Sequence, residues 1–198
     1  MFDKLAISAA LCLAVGSASA QGIQGVSDGP GPNLVIEIAD ASGEPKGTIT
    51  LDLYEDKAPN HVARLVELAQ SGAYDGVVFH RVIDGFMAQT GDVEFGKQDG
   101  DTAMAGMGGS DMPDLEAEFS DVSFQAGTVG MARSQDPNSA NSQFFIDLAP
   151  ATFLDGEYTV VGQLVDGWEV LQSVKKGDPA ANGSVDEPDY MASVTVSE

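Results

Sequence analysis

The sequence predicts a mainly β protein, either an antiparallel barrel or a sandwich, with two helices. Many short segments alternate apolar and polar residues, and only two stretches have helical periodicity. Many short strands with few helices favour an antiparallel sheet over a doubly wound parallel one. The predicted strands are residues 34–38, 48–54, 77–83, 86–90, 127–132, 143–147, 158–165 and 190–197.

The first two strands are predicted to form a hairpin. Apolar residues occupy every second position in both segments, which is typical of strands with one buried face. The stretch from Ser42 to Pro45 lies between them and has turn composition. We therefore expect residues 34–38 and 48–54 to pair through this turn.

The two predicted helices lie at residues 57–71 and near 167–175. Pro59 suits the first turn of the first helix, Asp56 is its expected N-cap, and Gly72 is expected to end it. An apolar stripe marks the face that this helix buries, formed by Val62, Leu65, Val66 and Ala69.

Residues 1–20 have the pattern of a secretory signal peptide, with Lys4 ahead of an apolar run at 5–15 and a small-x-small site ending at Ala20. The run is shorter than the ~20 apolar residues that a membrane span needs. A buried N-terminal helix is the alternative. We expect cleavage before Gln21 and residence in the periplasm, with full secretion as the second possibility. Residues 21–32 are then a flexible lead-in rich in Gly and Pro, and residues 33–198 form one domain.

The chain is strongly acidic, with 9 Lys+Arg against 31 Asp+Glu and a formal net charge of −22. Such a surface repels nucleic acid and anionic membranes, so we expect neither as a partner after signal cleavage. The acidity fits a solvated surface or a specific cationic partner. Cys12 is the one cysteine and lies in the signal peptide, so the mature chain offers no thiol nucleophile, disulfide or Cys-ligated zinc.

The stretch from Phe79 to Asp92 places Arg81 and Gln89 among large apolar side chains. Strand alternation puts Arg81 on the face opposite His80. A lone arginine beside apolar residues is more often a surface residue than a catalytic one, and the spacing alone leaves both roles open.

Three blocks of the sequence resemble the cyclophilin family of peptidyl-prolyl cis/trans isomerases. They are residues 79–92, residues 131–134 together with 141–146, and residues 153–162, in the family's order and near its spacing. The resemblance covers residues 33–196. It implies a closed eight-stranded antiparallel β-barrel capped by two α-helices, and the combination looks like the bacterial exported branch.

The resemblance also implies the functional residues. Arg81 takes the place of the family's catalytic arginine, with Gln89 as its catalytic partner. The implied substrate-binding residues are Phe86, Met87, Ala132, Arg133, Gln143, Phe145, Phe153, Leu154 and Tyr158. Ala132 and Arg133 would contact substrate through the main chain, so the Arg133 side chain is expected to matter little. The Gly106–Ser110 cluster matches the loop beside a neighbouring pocket.

The same resemblance implies the partners. We expect a monomer that acts on proline-containing polypeptides and needs no metal and no cofactor. Phe153 stands where the family has a tryptophan that contacts cyclosporin, so weak cyclosporin binding is expected. Tyr158 stands where many members have a histidine.

Other functions stay open from the residues alone. A non-catalytic chaperone module would use the same groove, and a hydrolase would need His61 or His80, which we interpret as structural residues. The acidic stretch at residues 99–101 suggests a calcium site, but the full calcium-loop pattern is missing.

Overall fold

The computed structural model describes residues 27–198. The predicted signal peptide at 1–20 lies outside this range, and the lead-in is described from residue 27 onward. The helices are α1 (Pro59–Gln70) and α2 (Trp168–Ser173), with single 3₁₀ turns at Thr102–Met104, Thr152–Leu154 and Pro179–Ala181. The strands are β1 (Asn33–Ala39), β2 (Pro45–Leu53), β3 (Val77–Val78), β4 (Arg81–Ile83), β5 (Met87–Thr90), β6 (Thr128–Met131), β7 (Phe144–Asp147), β8 (Val160–Asp166) and β9 (Tyr190–Ser197).

All nine strands of the described range belong to one antiparallel sheet, in the order β3-β9-β1-β2-β8-β6-β7-β5-β4. The mainly β prediction and the hairpin of β1 with β2 are confirmed. The two end strands, β3 and β4, are separated in the chain by Phe79 and His80 alone. The sheet must therefore curl until its two ends approach each other.

The expected closed eight-stranded barrel is wrong, because the sheet is a curled nine-stranded half-barrel. The predicted strand at 77–83 is interrupted at Phe79 and His80, since its two parts pair with different strands. β3 pairs with β9, whereas β4 pairs with β5. The chain connects the two edges of the sheet, but no pairing of β3 with β4 closes it.

The core lies inside the curl, and the sequence alternation determines which residues enter it. Leu34, Ile36 and Ile38 of β1 are almost completely buried, as are the alternate residues of β2 from Ile49 to Leu53. Full burial of such a side chain stabilises the fold by about 1.5–3 kcal/mol. The apolar stripe of α1 covers the same core, with Leu65 fully buried.

The N-terminus of α1 is held by a residue distant in the sequence. The expected N-cap Asp56 is wrong, because Ala58 occupies the cap position and no side chain there accepts a hydrogen bond. Instead, one Glu118 oxygen accepts from the backbone N–H of Asn60 at 3.2 Å and the other from that of His61 at 3.1 Å. A carboxylate is favourable at this end of a helix, where N–H groups lack partners.

The C-terminus of α1 follows the prediction. The helix ends at Gln70, and Gly72 adopts a left-handed conformation with φ of 71°. The second helix is shorter than predicted, because the turns at both of its ends fall outside helical geometry. No helix within residues 27–198 is long and apolar enough to cross a membrane.

Candidate active site

Arg81 and Gln89 are directly opposite each other in the antiparallel pair of β4 and β5. Arg81 Nη1 donates to Gln89 Oε1 at 3.2 Å, and Gln89 Nε2 donates to Gln143 Oε1 at 3.0 Å. Gln143 Nε2 in turn donates to the carbonyl of Gly108 at 2.8 Å. This chain of hydrogen bonds fixes both amide orientations and one side of the guanidinium. Asn182 accepts from the other side of the guanidinium.

A pocket of about 280 Å³ opens beside this arginine. Ten of the eleven site residues predicted from the sequence line it. They are Arg81, Phe86, Met87, Gln89, Ala132, Arg133, Phe145, Phe153, Leu154 and Tyr158. Gln143 is the eleventh, and it lines the adjacent pocket while its amide bonds to Gln89. Three distant segments of the chain therefore meet around Arg81.

The floor of the pocket is aromatic and tightly packed. Phe145 is only 5% exposed and stacks on Phe124, with ring centroids 5.8 Å apart and 18° between the planes. Gly130 makes this packing possible, because a Cβ there would lie 2.5 Å from Phe145 Cζ and 2.7 Å from Phe124 Cε1. The floor is therefore stiff, like other close-packed protein interiors.

The rim of the pocket is also aromatic. Phe153 is 71% exposed and leans on Phe86, with the ring centroids 5.5 Å apart. Tyr158 meets Phe145 edge to face at 5.8 Å. The guanidinium of Arg133 lies 4.4 Å from the centre of the Tyr158 ring. This cation–π contact holds the Arg133 side chain against the rim tyrosine, while the expected main-chain role of Arg133 toward substrate stays a prediction.

The charge of Arg81 is not neutralised by a neighbouring carboxylate. The ion pairs within residues 27–198 use Lys46, Lys57, His61 and Lys175 as their cations. Burial lowers the pKa of Arg81, and the nearby Tyr158 acts against that shift. A guanidinium remains charged under such conditions. Arg81 is therefore a half-buried cation whose bonded acceptors in the described range are neutral.

Both histidines are structural in position. His80 is 9% exposed on the face opposite Arg81, and burial lowers its pKa to about 4. The carboxylate of Asp92 and a hydrogen bond with the Val78 backbone act against this lowering of the His80 pKa. His61 is fully buried in α1, where its Nδ1 lies 2.6 Å from Glu118 Oε2. Neither histidine lines the pocket of Arg81.

The acidic stretch near residue 100 has a local role. The Asp101 side chain accepts from the backbone N–H of Ala103 at 3.0 Å and so caps the 3₁₀ turn that follows. Within residues 27–198, no group of three or more His, Cys, Asp or Glu side chains is arranged to hold a metal ion.

Asp92 supports the site and was not found from the sequence. It is fully buried at the end of β5, and its Oδ2 accepts from the backbone N–H of Gly106 at 2.7 Å and of Gly108 at 2.9 Å. Its Oδ1 accepts from Glu94 and Phe95 in the same way. These bonds fold the loop so that the Gly108 carbonyl reaches Gln143. An Asp between a strand and a glycine-rich loop was the available signal.

A second pocket of about 520 Å³ adjoins the first and shares Gln89, Ala132 and Arg133 with it. The Gly106–Ser110 segment forms one wall, as the resemblance implied. Glu94 and Asp114 add two exposed carboxyl groups to its lining.

Comparison with known proteins agrees with this geometry. Residues 35–196 match the family model described as cyclophilin type peptidyl-prolyl cis-trans isomerase/CLD. A probable peptidyl-prolyl cis-trans isomerase of Brucella suis is 47% identical over 197 residues, covering 98% of this chain and 96% of its own. A peptidyl-prolyl cis-trans isomerase of Synechococcus elongatus is 42% identical over 135 residues, covering 67% of this chain and 86% of its own.

Solved structures give the same result. A cyclophilin from Hirschia baltica superposes with a TM-score of 0.68 at 26% identity, covering 86% of this chain and 75% of its own. A Cryptosporidium parvum cyclophilin-type isomerase, crystallised in the presence of the dipeptide Ala-Pro, gives 0.69 at 25% identity and covers 84% of this chain and 99% of its own. The fold is that of a cyclophilin, and the chain belongs to the cyclophilin-type peptidyl-prolyl cis-trans isomerase family.

Proposed function

We propose that this isomerase accelerates rotation about Xaa-Pro bonds in exported proteins, and that Arg81 lowers the barrier without forming a covalent bond. One observation carries the proposal. The half-buried guanidinium of Arg81 has no carboxylate partner in the described range and lines an apolar pocket floored by Phe145. A proline ring fits the aromatic part of the pocket, and its imide bond would then lie beside the cation.

The chemistry of the bond explains why one arginine suffices. Rotation about an Xaa-Pro bond is slow because it breaks the resonance of the amide. In the twisted state the proline nitrogen becomes pyramidal and regains a lone pair that accepts a hydrogen bond. A guanidinium donor directed at that atom, or at the carbonyl oxygen, stabilises the twisted state more than the planar one. No nucleophile, metal or cofactor takes part in this step.

The required energy matches this arrangement. A thousandfold acceleration corresponds to about 4 kcal/mol, since each factor of ten takes about 1.4 kcal/mol. Charge-assisted hydrogen bonds are about twice as strong as neutral ones. Gln89 and Gln143 hold the guanidinium in place beforehand, so little of that energy is lost in orienting it.

The test is a proline-peptide isomerisation assay of the wild type, Arg81→Ala and Arg81→Lys. We expect Arg81→Ala to lose at least about tenfold in kcat/KM, and Arg81→Lys to recover only part of it because an ammonium lacks the planar fork. Lys57→Ala is the control, since it removes one cation outside the pocket. Arg81→Ala isomerising as fast as the wild type would refute the mechanism.

The same variants separate the rival functions. If the protein were a non-catalytic chaperone module, the wild type and Arg81→Ala would bind unfolded polypeptide equally well, and neither would isomerise the peptide. A hydrolase would turn over ester or peptide substrates that Arg81→Ala leaves unaffected. The positions of His61 and His80 outside the pocket favour neither acid–base nor nucleophilic hydrolysis.

The proposal includes export and action as a monomer in the periplasm. The signal-peptide pattern at residues 1–20 supports export. N-terminal sequencing of the protein recovered from a bacterial periplasmic fraction should begin at Gln21. A chain that still begins at Met1 in the cytoplasm would contradict it.

We also propose that cyclosporin binds weakly, because Phe153 offers no indole N–H at the rim. Phe153→Trp should then bind cyclosporin more tightly in a calorimetric titration, while Phe119→Trp, a change at another exposed phenylalanine outside the pocket, should not.

A further inference from the structure

We infer that Asn182 is a positioning residue for Arg81, which holds one edge of the guanidinium with two neutral oxygens and leaves its charge available to the substrate. This inference rests on the proposed function and adds a residue from a separate part of the chain. The 3₁₀ turn that ends at Ala181 places Asn182 beside β4.

Two hydrogen bonds connect the residues. Arg81 Nε donates to the backbone carbonyl of Asn182 at 3.0 Å, and Arg81 Nη2 donates to Asn182 Oδ1 at 3.2 Å. Both oxygens belong to one residue, so they hold the Nε/Nη2 edge as a pair. Gln89 holds Nη1 from the other side. The second N–H of Nη1 faces the weak thioether acceptor Met87 Sδ at 3.8 Å, and the second N–H of Nη2 has no further acceptor within residues 27–198. Both are directed to the pocket that Arg81 lines.

The backbone of Asn182 is shaped for this contact. Its φ of 54° lies in the left-handed region, which asparagine tolerates better than most residues. That conformation lets the carbonyl and the side-chain oxygen face the same guanidinium. Glycine would keep the backbone conformation but would remove the second oxygen, so the two contributions are separable by mutation.

The loop that carries Asn182 is fixed against β4. The backbone N–H of Val82 donates to the Gly183 carbonyl at 2.8 Å, and that of Gly177 donates to the Val82 carbonyl at 2.8 Å. Gly183 approaches so closely that a Cβ there would lie 2.4 Å from Ile83 Cγ1. Asn182 therefore stays in place relative to Arg81 although its own side chain is exposed.

The neutral amide matters because of charge. An aspartate at this position has the same size and would place a carboxylate where Oδ1 now lies, 3.2 Å from Nη2. The resulting ion pair would compete with the substrate for the guanidinium charge, since opposite charges at this distance stabilise each other strongly. Asn182→Asp is therefore a change of charge with almost no change of shape.

The experiment measures kcat and KM separately for the full chain carrying Asn182→Asp, Asn182→Gly or the control Glu187→Gly. Glu187 is the other non-glycine residue of the described range with positive φ, at 46°, and lies in the same loop. We expect kcat to fall roughly 10- to 100-fold in Asn182→Asp and roughly threefold to tenfold in Asn182→Gly, with KM and Tm near wild type. Glu187→Gly should keep the wild-type kcat.

A double-mutant cycle tests whether Asn182 acts through Arg81 or only supports the fold. On an Arg81→Lys background, Asn182→Gly should cause no further loss, because a lysine has no Nε/Nη2 edge to hold. An equal loss on both backgrounds would overturn the inference. It would also be overturned if Arg81→Ala alone abolished activity while the Asn182 variants kept the wild-type kcat. A wild-type chain without isomerase activity would instead refute the proposed function itself.

Discussion

The two adjoining pockets are built differently. The pocket of Arg81 lies on paired strands and has a stacked aromatic floor, whereas its neighbour is walled by the glycine-containing segment Gly106–Ser110 and carries Glu94 and Asp114. In the first pocket Arg81 lies among apolar side chains without a carboxylate partner in the described part of the chain, and the second pocket is larger and carries two exposed carboxylates. The stiff first pocket is therefore the one in which we propose that the isomerisation takes place. The second pocket, with its loop wall and carboxylates, would accommodate the residues that flank the Xaa-Pro pair.

The largest effect should come from filling the floor of the first pocket. In Gly130→Ala the new Cβ would lie 2.5 Å from Phe145 Cζ, so one of two buried rings must move. We expect a loss of about 3 kcal/mol in the free energy of unfolding, measured in urea, which is the upper end of the roughly 1–3 kcal/mol that overpacking a core typically costs. Isomerase activity should fall with it, since Phe145 lines the pocket.

The matched control is Gly100→Ala in the long loop. Gly100 has ordinary space around it, with the nearest neighbour of a Cβ at 3.4 Å. It should keep both stability and activity. If Gly130→Ala behaved like Gly100→Ala, the floor would be soft and the comparison of the two pockets would fail.

The next largest effect should come from releasing the wall of the second pocket. Asp92→Ala removes the acceptor of four backbone N–H groups, and the segment that carries the Gly108 carbonyl would lose its support. Hydrogen bonds to a charged group contribute about 1.5–3 kcal/mol each when both partners are buried. We expect a stability loss of about 2 kcal/mol, since part of the loop rehydrates.

The kcat of Asp92→Ala measures how far the pocket of Arg81 depends on this loop. Gln143 would lose its acceptor and Gln89 its fixed orientation, so kcat should fall by less than in Arg81→Ala. Asp111→Ala, an exposed change in the same loop, is the control. Unchanged stability and protease resistance in Asp92→Ala would contradict the role of this carboxylate.

The sequence predicted much of this arrangement, and the misses share one physical cause. Alternation located the buried faces of β1 and β2, and three sequence blocks supplied ten residues that line one pocket. The interruption at Phe79 and His80, the capping of α1 by Glu118 and the contact of Arg81 with Asn182 were missed. Each depends on groups far apart in the chain, and local periodicity carries no information about such pairs.

The pH dependence of the free energy of unfolding tests the role of Asp147, a buried residue next to the stiff pocket. Asp147 pairs with Met87 across β7 and β5 and is fully buried, and neither carboxyl oxygen has a hydrogen-bond partner. Burial raises the pKa of Asp147 to about 8, and the nearby Asp155 adds to that shift. The folded chain therefore keeps a proton that the unfolded chain releases above about pH 4.

Ionisation of Asp147 makes the stability of the folded chain depend on pH. The protonated carboxyl contributes its full stability at low pH, and that contribution is lost as the pH rises toward 8. Asp147→Asn cannot ionise, so its stability relative to the wild type should rise steadily between pH 4 and pH 8, where only the unfolded wild-type chain has lost the proton. Urea unfolding from pH 4 to pH 9 measures it, with Asp121→Asn as an exposed control. A difference that does not change with pH would show that Asp147 ionises normally.

The smallest effect should come from the charge of the second pocket. Glu94→Gln removes one exposed carboxylate from its lining while keeping the size of the side chain. We expect kcat/KM to fall about threefold for a peptide with a lysine flanking the Xaa-Pro pair, since exposed ion pairs contribute about 0.2–1 kcal/mol. A peptide with a glutamate in place of that lysine should gain slightly. Glu116→Gln lies outside the pocket and should change neither value.

Raising the ionic strength should remove the lysine preference of the wild type, because salt screens exposed charges but leaves the Arg81 contacts largely intact. Equal rates for both peptides at low salt would mean that the acidic pocket does not select its substrate by charge.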